Sequence, residues 1–77
     1  MGSKYPILTP HEIIRILKLF GFTFKSQRGS HIKYTNEGIG KVARTVIIPM
    51  HDEVARGTLK SILEQADLTL DEFLSKM

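Results

Sequence analysis

The sequence predicts an α+β fold of two layers, ordered α-β-β-β-α with a short C-terminal helix, in which helices cover one face of a three-stranded antiparallel sheet. Three observations predict it. Helix-start signatures stand at Thr9 and again at Thr69; residues 22–26 and 30–34 alternate with period two; and Arg44-Thr45-Val46-Ile47-Ile48-Pro49 is a β-branched run. Helices gathered on one side leave the other sheet face to water or a ligand. The 77 residues allow one domain, 1–77, with 1–7 expected as a flexible N-terminal segment.

Taken in order, Leu8-Thr9-Pro10-His11-Glu12-Ile13 starts the first helix. Thr9 is placed as N-cap, Pro10 at the first helical position and Glu12 to close a capping box, with Leu8 stapled onto Ile13. Ile13, Ile16, Leu17 and Phe20 recur at helical spacing as the inner stripe, Arg15 and Lys18 fall outside, and Gly21 suits the left-handed position that ends a helix. Two strands follow, joined near Gln27-Arg28. If Ile32 and Tyr34 face the core, His31 and Lys33 must share the opposite, open face. Asn36 to Lys41 reads as a polar turn, and Pro49 closes the third strand. Leu59, Ile62, Leu63 and Ala66 stripe a second helix starting around Arg56-Gly57-Thr58, and Leu68-Thr69-Leu70-Asp71-Glu72-Phe73 repeats the staple and capping box for a short terminal helix.

Charge is divided along the chain. Between Ile13 and His51 seven Lys/Arg stand against Glu37 alone; from Asp52 to Met77 three stand against six acids. A basic half of this kind fits a polyanion or an acidic partner surface. The absence of cysteine excludes disulfides, zinc knuckles and thiolate nucleophiles, and no apolar run approaches the roughly 20 residues that span a bilayer. A soluble cytoplasmic protein with no membrane association is therefore expected.

His31, within Gly29-Ser30-His31-Ile32-Lys33-Tyr34, is the sharpest candidate for chemistry. Imidazole alone among side chains has an unperturbed pKa, about 6.5, suited to acid or base work near neutrality. Arg28 and Lys33, and further off Lys25 or Arg44, could hold an RNA phosphodiester and offset the charge that grows as a 2′-hydroxyl attacks it. Gly29 would allow close approach of a substrate backbone. The plainer alternative is an exposed strand histidine without a role. His51, after Pro49-Met50, is an auxiliary candidate, and His11 is assigned no function. No His-x-x-x-His occurs and the basic half holds a single carboxylate, so neither a metal site nor any cofactor is expected. Tyr34 and most of the phenylalanines are read as core rather than base-stacking platforms.

Gly29-Ser30-His31 on a strand, then Val46-Ile47-Ile48-Pro49-Met50-His51 and Arg56 to Ala66, resemble the HicA family of toxin ribonucleases. Gly21-Phe22, the basic run before Gly29 and Leu68 to Phe73 match in the same order, so the resemblance covers about Thr9 to Leu74. It implies a fold similar to a double-stranded RNA-binding domain. It implies the toxin of a type II toxin–antitoxin system: a metal-independent endoribonuclease that cleaves mRNA, arrests translation and growth, and is neutralised in a hetero-oligomer by a HicB-like antitoxin covering the active-site region. The role of the essential histidine carries over to His31, that of RNA contact to Arg28, Gly29, Ser30 and Lys33, and the Pro-x-His motif to Pro49 and His51. Two departures stand out. Asp67 replaces a frequent glycine after the second helix, which leaves a left-handed cap there less assured, and Ile32 stands where many relatives carry a second histidine or an aromatic. Whether His31 acts as acid or base stays open, as does its partner, and a non-catalytic RNA-binding module is the alternative reading.

Overall fold

The computed structural model describes residues 4–38 and 42–77. Its elements run α1 (Pro10–Leu19), β1 (Thr23–Arg28), β2 (His31–Asn36), β3 (Arg44–Pro49), α2 (Arg56–Ala66) and α3 (Leu70–Leu74). The sheet is antiparallel in the order β1-β2-β3, so β2 is central. The expected α+β architecture is present. Of the turn predicted over 36–41, residues 39–41 lie outside the described residues, as do residues 1–3 of the N-terminal segment.

Both predicted capping boxes form. The Thr9 hydroxyl accepts from the Glu12 N–H at 3.2 Å while the Glu12 carboxylate accepts from the Thr9 N–H at 2.8 Å, and Thr69 with Glu72 repeats the pair. These bonds satisfy donors that a helix start otherwise leaves open. At the other end of α1, the N–H groups of Gly21 and Phe22 bond back to Lys18 and Leu17, with Gly21 at φ 97° as the left-handed residue. The Asn36 side chain donates to the Phe20 carbonyl beside it, tying the end of β2 to the end of α1.

α2 ends in the same way, so the left-handed cap forms although Asp67 stands where glycine is frequent. It adopts φ 59°, ψ 40°, while its own N–H and that of Leu68 bond back to Glu64 and Leu63. Aspartate tolerates this region better than most residues, and Arg44 lies 3.4 Å from its carboxylate.

Ile13, Ile16 and Leu17 of α1, Leu59, Ile62 and Leu63 of α2, Phe73 of α3, and Ile32, Tyr34, Val46 and Ile48 of the sheet belong to one buried cluster. The helices thus share one sheet face. Truncating a fully buried member such as Leu59 to Ala costs about 2–5 kcal/mol, a large part of the stability of so small a domain. Phe24 keeps the side of Tyr34 but not its burial: it is 56% exposed, standing edge-on to Tyr34 at 6.0 Å on an outer strand exposed throughout. Residues 4–8 run beside the loop before α2; the Leu8 carbonyl accepts from the Val54 N–H and the Tyr5 carbonyl from Arg56 Nε.

Bonding to the Thr9 N–H, then to its hydroxyl, lowers the pKa of Glu12, and Glu72 is lowered by its bonds to Thr69 in the same order. A carboxylate whose folded-state pKa lies below its unfolded value adds stability at higher pH and loses it as pH falls through the folded value. Thermal unfolding followed from neutrality down through the carboxylate range should show this acid-side loss. In Glu12→Gln, which keeps the capping geometry without titrating, the loss should be smaller; an unchanged pH profile would contradict the linkage.

Candidate functional site

Strand pairing assembles the site. Directly paired residues on neighbouring strands project from the same face. Register pairs Arg28 with His31 and His31 with Pro49, and one step inward Ser26 with Lys33 and Lys33 with Ile47. A third row is Thr23, Thr35 and Thr45. All three rows lie on the face opposite Ile32, Tyr34, Val46 and Ile48; Thr35 in the third row is buried, its hydroxyl donating to the Arg44 carbonyl, and the face is open at the row of His31. His31 is exposed and Lys33 half-buried.

Two local features create this arrangement. The first is the hairpin turn, which is Gly29-Ser30 rather than the expected Gln27-Arg28. Glycine with φ 58° at the first of two loop positions is the pattern of a II′ turn, whose twist suits a two-residue hairpin. Gly29 is therefore explained by the turn, and Arg28 becomes a strand residue facing His31 instead of a loop residue. The second is a bulge at Lys25, between the Phe24–Tyr34 and Ser26–Lys33 pairs. One extra residue inverts the phase of the strand, so Ser26 and Arg28 emerge on the face opposite Phe24.

The loop carrying His51 is held at both ends. The Met50 N–H donates to the Ser30 carbonyl at 2.6 Å and the Val54 N–H to the Leu8 carbonyl at 2.8 Å, leaving His51, Asp52 and Glu53 as an exposed span between two anchors. On the free edge of β3, Gln65 Oε1 accepts from the Ile47 N–H at 3.1 Å, and Pro49 has no N–H to offer.

Two depressions meet at His31. One, of about 700 Å³, is lined by Ser26, Gln27, Arg28, Ile32 and Lys33, with cations and no carboxylate. The other, of about 430 Å³, is lined by Pro49, His51, Glu53, Thr58 and Gln65 among others. His31 and Ile47 line both. Of the residues singled out from sequence, Arg28, His31 and Lys33 come together in the first, and His51 joins His31 in the second. Ser30 and Gly29 sit at the turn, where the Ser30 carbonyl is taken by Met50. Arg44 is not part of the site: it shares the face of Val46 and Ile48 and pairs with Asp67. Among the described residues no group of three or more His, Cys, Asp or Glu could hold a metal ion, and no helix is long and apolar enough to cross a membrane.

Sequence reasoning missed Ile47, Gln65 and Glu53. In the run Val46-Ile47-Ile48 all three residues are apolar, so hydropathy does not show that the middle one turns outward; it is 44% exposed. Only its parity relative to the buried pair Val46 and Ile48 could have shown it.

Comparison with known proteins adds a family. A sequence model described as the HicA toxin of bacterial toxin-antitoxin systems matches residues 10–68, from the first residue of α1 to just beyond α2. No curated protein matches the chain.

The turn gives a direct check of the geometry. A β-carbon on Gly29 would meet no atom within 4 Å, so the effect of substitution there is backbone strain alone. Gly29→Val should destabilise by about 1–2 kcal/mol, a fall of roughly 4–16 °C in melting temperature for a domain of this size, with Gly29→Asn much milder. Equal melting temperatures for wild type and the valine variant would contradict a left-handed Gly29.

Proposed function

Because the chain belongs to the HicA toxin family of toxin–antitoxin systems, whose members are generally ribonucleases, we propose that it is an endoribonuclease acting on mRNA through His31. The observation that carries this reading is the row Arg28–His31–Pro49 with Lys33 beside it: an exposed imidazole on an uncovered sheet face, flanked by two cations in a depression free of carboxylates.

The chemistry is transphosphorylation. The 2′-oxygen attacks the adjacent phosphorus, the bond from phosphorus to the 5′-oxygen breaks, and the products are a 2′,3′-cyclic phosphate and a 5′-hydroxyl. Two protons move, one from the 2′-hydroxyl and one to the leaving oxygen. His31 handles one of them. In this reading His51, which lines the second depression with His31 and whose loop is anchored on both sides, handles the other. Arg28 and Lys33 hold the phosphate and offset its growing negative charge. Gly29 and Ser30 bring the turn close to the RNA backbone. No residue in this scheme requires a metal.

The partner implied by the family is an antitoxin, and we take it to be HicB-like, seated over the uncovered face in a toxin–antitoxin hetero-oligomer. Exposed Ile47 gives that face an apolar contact, and Arg28 and Lys33 complement acidic groups. Freed of it, the toxin degrades mRNA in the cytoplasm and arrests translation and growth.

Purified wild type incubated with single-stranded RNA in the presence of EDTA should leave 5′-hydroxyl ends. His31→Ala should lower the rate by about 10²–10⁴-fold, the usual effect of removing a general acid or base, with an unchanged melting temperature. Unchanged cleavage by His31→Ala overturns the catalytic assignment. RNA binding by wild type without any cutting would instead make this a binding module.

A further inference from the structure

The two depressions that meet at His31 differ in character, and the difference has a use. The first offers Arg28 and Lys33 to a phosphate. The second has no lysine or arginine among its lining residues and carries the carboxylate of Glu53, which repels a phosphate. Its apolar lining is Ile47, Pro49, Val54 and Ala55, and its polar lining, beside His31 and His51, is Glu53, Thr58 and Gln65. Apolar lining with a few polar groups fits a flat, edge-polar ligand, and unstacked RNA bases are read in this way.

Gln65 is not free to swing, since its Oε1 holds the Ile47 N–H at 3.1 Å and its amide nitrogen remains to donate. Glu53 sits in the span between the bonds of Met50 to Ser30 and Val54 to Leu8. Gln65 is thus tied to β3, and the span of Glu53 is held between the Gly29-Ser30 turn and the segment before α1. Ile47, an exposed large apolar residue that the core does not use, lines both depressions together with His31.

We infer that the depression lined by Glu53 and Gln65 is a nucleobase subsite that selects a guanine next to the scissile phosphate. The inference rests on the ribonuclease reading above and adds its specificity. The phosphate backbone lies over Arg28 and Lys33, the reacting phosphate is at His31, and the adjacent base turns into the second depression against Ile47 and Pro49. A carboxylate accepts but cannot donate, so it favours a base edge rich in donors. Guanine presents two side by side, N1–H and the exocyclic amine, where uracil, cytosine and adenine each present one donor group.

The test is a random-sequence single-stranded RNA pool cut to low conversion by wild type, Glu53→Gln and His31→Ala, with the new 5′-hydroxyl ends captured and sequenced. Among the described residues the Glu53 side chain makes no hydrogen bond that supports the fold, and melting temperatures verify that the variants are folded. Wild type should enrich guanine at one position flanking the cut at least about fivefold, the low end for a bidentate base contact. Glu53→Gln should still cut but lose that enrichment. Identical base profiles for wild type and Glu53→Gln overturn the subsite while leaving the ribonuclease reading intact. Absence of any cutting by wild type overturns both. A Glu53-dependent guanine preference that persists in an undiminished His31→Ala would support the subsite and remove His31 from the chemistry.

Discussion

The register of β2 is the constraint on which everything else depends. Ile32 and Tyr34 are buried, so His31, Lys33 and Thr35 must project from the other face. A slip of one residue would put a histidine and a lysine into the core and two large apolar side chains into water. Core packing therefore fixes the orientation of His31 as firmly as it fixes Ile32. The outer strands then complete the site by pairing: the Gly29-Ser30 turn aligns Arg28 with His31, and β3 brings Pro49 and Ile47 alongside.

The Lys25 bulge turns a hydrophobic strand start into a cationic strand end on the face of His31. Before it, Phe24 lies on the side of Tyr34; after it, Ser26 and Arg28 lie on the side of Lys33 and His31. The loop after β3 is restrained by comparably simple means, two backbone hydrogen bonds on either side of residues 51–53. Together they leave His31 between a cationic depression suited to phosphate and one lined by both polar and apolar residues. The acidic residues of Asp67, Asp71 and Glu72 lie at the far end, around the close of α2 and in α3, where they do not oppose a polyanion at His31.

Much of the fold was legible because its determinants are local. Capping boxes at Thr9 and Thr69 involve residues three apart, and the stripes of α1 and α2 are plain periodicities. The face of His31 was legible by parity from Ile32 and Tyr34. What escaped was whatever depended on interruption or long range. The turn lies two residues beyond Gln27-Arg28, so Arg28 was expected in it, and a bulge breaks period two without a distinctive residue; Phe24 keeps the side of Tyr34 but is exposed because β1 is an edge strand. The left-handed cap at Asp67 was less assured because glycine is the usual occupant. The bond between Ile47 and Gln65 spans 18 residues and leaves no pattern in the chain.

The central claim is that RNA meets the uncovered sheet face at His31. Amide shifts of isotope-labelled wild type, recorded while titrating in a 2′-O-methyl RNA that has no 2′-hydroxyl to attack, test it most directly. The account predicts shifts concentrated at Arg28, His31, Lys33 and Ile47 and extending to Glu53, with the outer face of α1 at Arg15 and Lys18 unmoved. Shifts centred on α1, with the residues around His31 unmoved, would contradict it.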